Sequence, residues 1–200
     1  MKNIIFDIGN VLLSFQPENY LSQYFNATQM GDLMTIIFSS DEWVDLDMGT
    51  LLIQGAIDSL ANKHPHYHDE IIFVLENWTE MLTTINDNVQ IAYDLKEAGY
   101  HLYLLSNFHS EAIQTMFQKY DFFQLFEGSV ISAYEHVVKP DEKIYQILLE
   151  KYQLDPQECL FIDDSLANIH TGQRLGIQGI HLPYQANLRS KLQTLNLLKK

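Results

Sequence analysis

The hydrophobic pattern changes texture twice along the chain. Asn3-Ile4-Ile5-Phe6 is a short β-branched and aromatic run ending at Asp7, the kind that fills a buried parallel strand. From 17 to 85 the apolar residues recur near the helical period, with no convincing strand alternation. Tyr20, Leu21, Tyr24 and Phe25 follow a helix start at Pro17-Glu18-Asn19. Leu33, Ile36, Ile37 and Phe38 predict a second helix, and Leu51, Leu52, Ile53, Ala56, Ile57 and Leu60 a third. Ile71, Ile72, Val74, Leu75, Trp78 and Leu82 predict a fourth.

From Asn86 onward helix and strand alternate. The pattern predicts helices over 88–98, 110–120, 141–152, 166–175 and 188–198, with Gly99 and Gly176 as terminators and a basic end at Lys199-Lys200. It predicts strands over 100–105, 128–132, 159–162 and 178–182. Such alternation implies an α/β fold, a doubly wound parallel sheet of Rossmann-like type. The expected organisation is a core from residues 1–15 and 87–200, with a helical cap domain inserted at 16–86. The junctions near 14–17 and 86–88 are the expected hinges.

Composition narrows the partners. The 200 residues carry 26 acidic against 12 basic side chains, a net charge of −14, which repels phosphate backbones and argues against nucleic acid. A small phosphorylated metabolite remains compatible, because a bound divalent cation inverts the local field. The single cysteine, Cys159, lies in the apolar run Cys159-Leu160-Phe161-Ile162, which reads as a buried thiol in a reducing compartment. No uncharged apolar run approaches the ~18–20 residues of a membrane span, and no signal-peptide pattern opens the chain. The expectation is a cytoplasmic protein without membrane contact, and the sequence specifies neither a monomer nor a homodimer.

Chemistry collects at the predicted strand ends. Asp7 ends the first strand, Ser106-Asn107 follows the second, Lys139-Pro140 lies shortly after the third, and Asp163-Asp164 ends the fourth. A strand-end Asp can be a nucleophile, a hard-metal ligand or a turn cap. In an open parallel sheet, however, these groups converge on one cleft. Two adjacent carboxylates repel each other unless a cation or proton intervenes. Together the groups suit phosphoryl transfer. Asp7 is the candidate nucleophile, and Asp164, with or without Asp163, joins it in holding Mg2+. Ser106 and a helix start near Phe108 would receive the phosphate oxygens, and Lys139 would neutralise their charge.

The order Asp7-x-Gly9-Asn10-Val11, Leu105-Ser106-Asn107, Val138-Lys139-Pro140-Asp141 and Phe161-Ile162-Asp163-Asp164-x-x-x-Asn168 resembles the haloacid dehalogenase superfamily of hydrolases. The form around Asp7 is most similar to the subgroup containing bacterial α-D-glucose-1-phosphate phosphatases. The resemblance implies Mg2+-dependent hydrolysis of a small phosphomonoester through a phospho-Asp7 intermediate. It gives Asp7, the Gly9 carbonyl and Asp164 as metal ligands, with Asp163 acting as a further ligand or through water. Ser106 and Asn107 become the phosphate- and substrate-binding motif, Lys139 the charge stabiliser, and Asn168 a residue orienting the fourth motif.

One position departs from that pattern. Most phosphatases of the superfamily carry an Asp two residues after the nucleophile, and here Gly9 stands there. A sugar 1-phosphate, with its comparatively acidic leaving group, needs less help. Otherwise Glu18, Asp45, Asp47 or His109 could substitute, His109 first because it lies just past Ser106-Asn107. Two other readings follow: a catalytically weak phosphometabolite-binding or regulatory protein, and a metal-independent 2-haloacid dehalogenase. His64-Pro65-His66-Tyr67-His68 reads as a polar inter-helix loop, and Asp45-Leu46-Asp47-Met48-Gly49 as a helix end with half a calcium-loop spacing. The aromatic residues of 16–86 read as packing for the cap.

Overall fold

The computed structural model describes residues 1–198, so the basic pair Lys199-Lys200 lies outside the described residues. The chain opens with β1 (Asn3–Phe6) and β2 (Leu13–Phe15). It continues through α1 (Pro17–Leu21), α2 (Ala27–Leu33), α3 (Asp41–Asp47), α4 (Ile53–Lys63) and α5 (His68–Asn77) to β3 (Leu82–Thr84). Next come α6 (Asn86–Glu97), β4 (His101–Ser106), α7 (Ser110–Lys119), β5 (Gly128–Ile131), α8 (Ser132–Glu135) and α9 (Glu142–Tyr152). The chain closes with β6 (Cys159–Asp163), α10 (Leu166–Arg174), β7 (Gln178–His181) and α11 (Leu188–Thr194).

Five strands form one sheet in the order β5-β4-β1-β6-β7, and all its pairings are parallel. Phe6 stands level with Leu104 on one side and Ile162 on the other. Alternate side chains point to opposite faces. Ile4, Phe6, Leu102, Leu104, Leu160 and Ile162 pack in one buried cluster with α6 and α7 residues such as Ile91 and Ile113. Ile5, Tyr103, Leu105 and Phe161 pack in another with Ile144, Tyr145 and Ile169 of α9 and α10. Burial on both faces explains why these strands read as continuous apolar runs. Strand order reverses around β1, so the crevice at the carboxyl ends of β4, β1 and β6 is where such sheets hold ligands.

The segment 17–81 differs from expectation in two places. Leu82, read as the end of a fourth helix, instead starts β3, which pairs antiparallel with β2 (Leu13↔Thr84, Phe15↔Leu82). Three residues are too few to show alternation, and β3 exists because β2 lies opposite. A separate helix, α3, precedes Gly49 and is capped by Ser40, whose hydroxyl accepts from Trp43 N at 3.1 Å. The aromatic side chains here do pack together, with Trp43 5.3 Å from Trp78 and 6.0 Å from Phe15, centroid to centroid. Of the segment His64–His68, residues 64–67 lie between α4 and α5, with a 3-10 turn over Pro65–Tyr67, and His68 opens α5.

Gly49 seats this segment on the sheet domain. Its φ is +65°, and an added Cβ would come within 2.1 Å of the Ala133 carbonyl oxygen in α8. Gly49→Ala should therefore lower stability by about 1–3 kcal/mol from backbone strain alone, before any displacement of α8. Urea unfolding measures this, and an unchanged midpoint would contradict the contact.

Candidate active site

Asp7 follows β1, where its backbone N–H still donates to Ile162 O at 2.9 Å. Three donors converge on its Oδ1: Ile8 N–H at 2.7 Å, the Ser106 hydroxyl at 2.7 Å and Lys139 Nζ at 2.9 Å. All three contacts fall on Oδ1 and none on Oδ2. The buried Lys139 ammonium also meets Asp163 Oδ2 at 2.6 Å. Asn107 clamps the Lys139 backbone from both sides, accepting its N–H at 2.8 Å and donating to its carbonyl at 3.1 Å. The Asn107 amide is thus engaged with Lys139 rather than turned to the crevice.

Asp163, at the end of β6, is fully enclosed. Ser165 N–H (2.7 Å) and Asn168 Nδ2 (3.0 Å) donate to its Oδ1, while Lys139 takes Oδ2. Asn168 thus holds the fourth motif through Asp163. Asp164 is more open and accepts from Asn10 Nδ2 at 3.1 Å. Asn10 also accepts the Phe15 N–H through its Oδ1 at 3.0 Å. It also carries the positive φ of the turn (52°), whereas Gly9 has an ordinary backbone and open space where a Cβ would stand. The Asp-x-Gly-Asn spacing was the available signal for this second role. Lys139-Pro140 is a cis peptide, and α9 starts only at Glu142, capped by Asp141. The expected helix, α7, starts at Ser110 with His109 at its N-cap, two residues past Phe108.

Electrostatics follow from burial. Loss of solvent pushes Asp7 up to about 7, with Asp163 and Asp164 adding repulsion, against Lys139 and the Ser106 hydroxyl. Burial also raises Asp164. Burial would lower Lys139, but its two carboxylate partners outweigh it and hold the ammonium above its ordinary value. Asp7, Asp163 and Asp164 offer ligand oxygens within 4.8 Å of one another. Three carboxylates against one ammonium leave negative charge to be balanced, and an all-oxygen set suits a hard divalent cation such as Mg2+. The donor set fits the metal.

A model of haloacid dehalogenase-like hydrolases matches residues 1–176. The chain belongs to this family. The hydrolase is 26% identical to a sesquiterpene phosphatase of Aspergillus oryzae over 90% of this chain and 89% of that protein. It is 25% identical to the D-ribitol-5-phosphate phosphatase of Bacteroides thetaiotaomicron over 96% of this chain and 97% of the other. Its fold is similar to that of a HAD family enzyme of Bacteroides thetaiotaomicron, solved as a mutant in complex with magnesium and inorganic phosphate. That likeness has a TM-score of 0.76 at 20% identity, covering 96% and 98% of the two chains.

Two of the residues weighed to stand in for an acid at Gly9 meet at this site in the hydrolase. His109, the first of those candidates, is buried between Trp43 and Trp78, with ring centroids at 4.4 and 4.5 Å. Burial pushes its imidazole down to about 3, so it carries no proton to give near neutral pH. Neither ring nitrogen has a hydrogen bond, and Nε2 lies 3.5 Å from Asp47 Oδ1. Asp47 is the last residue of α3. Burial and the nearby Asp7 push its carboxyl up to about 7, with Lys139 opposing. Among the described residues, no helix is long and apolar enough to cross a membrane.

Proposed function

We propose that this hydrolase is a Mg2+-dependent phosphatase of small phosphomonoesters, working through a phospho-Asp7 intermediate. The observation that carries this reading is the cluster of Asp7, Asp163 and Asp164 facing one buried ammonium, Lys139, paired with two of them. In this reading Asp7, the Gly9 carbonyl and Asp164 hold Mg2+, with Asp163 supporting through Lys139. When bound, the cation neutralises phosphate oxygens and draws charge from phosphorus. Asp7 Oδ2 attacks phosphorus while Ile8 N–H, Ser106 and Lys139 hold Oδ1. Lys139 then offsets charge on the transferring group, and Asn107 and Asn168 keep Lys139 and Asp163 in place. Residues 16–86 serve as a cap that covers the buried Asp7 and excludes water during turnover.

The test is a turnover screen pairing sugar 1-phosphates against 6-phosphates, with farnesyl phosphate and a 2-haloacid alongside. Inorganic phosphate release is expected with Mg2+, lost in EDTA and restored by added Mg2+. Halide release in EDTA would instead select the dehalogenase branch. Tight binding of phosphorylated sugars without turnover would select a binding role. Preference for 1-phosphates would show that leaving-group acidity controls the rate.

A further inference from the structure

We infer that Asp47, carried on α3, is the proton-transferring group of this site, standing in for the acid that Gly9 lacks. The inference rests on the phosphatase reading and assigns a residue to it.

Three observations converge on Asp47. The first is how its backbone is held. The fully buried Ser132 hydroxyl donates to Asp47 O and accepts the Phe108 N–H at 3.0 Å. One serine thereby fastens the end of α3 to the loop that follows Ser106. His136 Nδ1 lies 2.9 Å from the Met48 carbonyl, and Gly49 allows the close approach to Ala133. These contacts use only main-chain groups of residues 47–49, so the Asp47 side chain is not spent on anchoring.

The second is what the carboxyl faces. Asp7 after β1, Lys139 before α9 and His109 at the start of α7 are the titratable groups around it. His109 stays neutral, so Asp47 has no fixed cation of its own to hold it ionised. The wall on that side is Trp43, Trp78 and an uncharged imidazole. Such surroundings raise a carboxylic acid to about 7, so that it exchanges its proton near neutral pH.

The third is access. The Asp47 side chain keeps 21% of its surface open, whereas that of His109 keeps 3%. The acid can reach a leaving group that the imidazole cannot.

The chemistry balances through this one group. As Asp7 bonds to phosphorus, the bond from phosphorus to the ester oxygen breaks, and that oxygen takes its electron pair and the Asp47 proton. The alcohol leaves and Asp47 is a carboxylate. Water then attacks the phosphorus of the aspartyl phosphate, giving its proton to Asp47 while the bond to Asp7 breaks. Phosphate departs, and Asp7 and Asp47 return to their starting states.

The experiment compares phenyl phosphate with p-nitrophenyl phosphate, whose leaving group needs no proton. For Asp47→Asn, kcat/KM on phenyl phosphate should fall by about 10²–10⁴-fold, against less than about tenfold on p-nitrophenyl phosphate. The phosphoryl-enzyme should accumulate, because its hydrolysis loses its base. Adding Gly9→Asp should narrow the gap between the two esters, since a side chain at that position meets open space. Vanadate affinity and thermal melting report folding. If Asp47→Asn does not fold, Asp47→Ser read with and without Gly9→Asp gives the same comparison. Equal losses on both esters, with no rescue, would overturn the assignment alone. No turnover of either ester by the wild type would overturn the phosphatase reading and this assignment with it.

Discussion

Asp7→Asn should reduce phosphate release to background, a loss on the order of 10⁴–10⁶-fold, while the protein stays folded. An amide oxygen at this position can still accept from Ile8 N–H and the Ser106 hydroxyl, the two short contacts that fix the side chain. What disappears is the second carboxylate oxygen, the one without those donors and the one needed at phosphorus. The fold has little to lose, because Lys139 keeps Asp163 as a partner at 2.6 Å. Burial also acts against a charged Asp7, so a neutral group there relieves a cost of desolvation. Circular dichroism with a phosphate-release assay checks both halves. Undiminished turnover in the folded variant would sink the phospho-Asp7 mechanism.

Lys139→Met should be the most damaging single change to stability. It leaves Asp7 and Asp163 buried without their cation, and breaking such a cluster costs about 3–5 kcal/mol. Small domains have only about 5–15 kcal/mol in hand, so the variant becomes marginal. The loss depends on pH. With Lys139 gone, burial and the neighbouring carboxylates hold Asp7 further above its ordinary range. Such a group binds more protons folded than unfolded, so stability falls as pH rises and is greatest below the ordinary carboxylate range. Denaturation in EDTA should therefore show the largest deficit against wild type at pH 7, shrinking towards pH 5. A deficit that grows on acidification would contradict this account.

The parallel sheet was legible because its strands are buried on both faces, and runs such as Leu102-Tyr103-Leu104-Leu105 carry that burial in their composition. The polar residues that close those runs are the same ones the sheet brings together, since parallel strands share one carboxyl edge. The ribbon of β2 and β3 was not legible. Each strand has three residues and depends on a partner far along the chain. Proximity in sequence put His109, three residues from Ser106, ahead of Asp47, and it carried no sign that the imidazole would be buried. The Ser132 contact that brings Asp47 to the same place spans 85 residues, and no local pattern encodes it. At Gly9-Asn10 the sequence left open which residue makes the turn. Both tolerate a left-handed turn, and Asn10 takes it.

Asn10 has a consequence beyond its turn. The chain enters and leaves the helical segment through β2 and β3, whose pairing ties both crossings together. Asn10 accepts the Phe15 N–H of β2 at 3.0 Å and gives its amide to Asp164 at 3.1 Å. Any swing of the segment is thus felt at Asp164 through two hydrogen bonds in series. Under the proposed function, occupancy of the carboxylate cluster and seating of the segment would then be linked equilibria. Whatever cation affinity is gained on closure returns, by reciprocity, as an equal bias towards the closed arrangement when the cation binds.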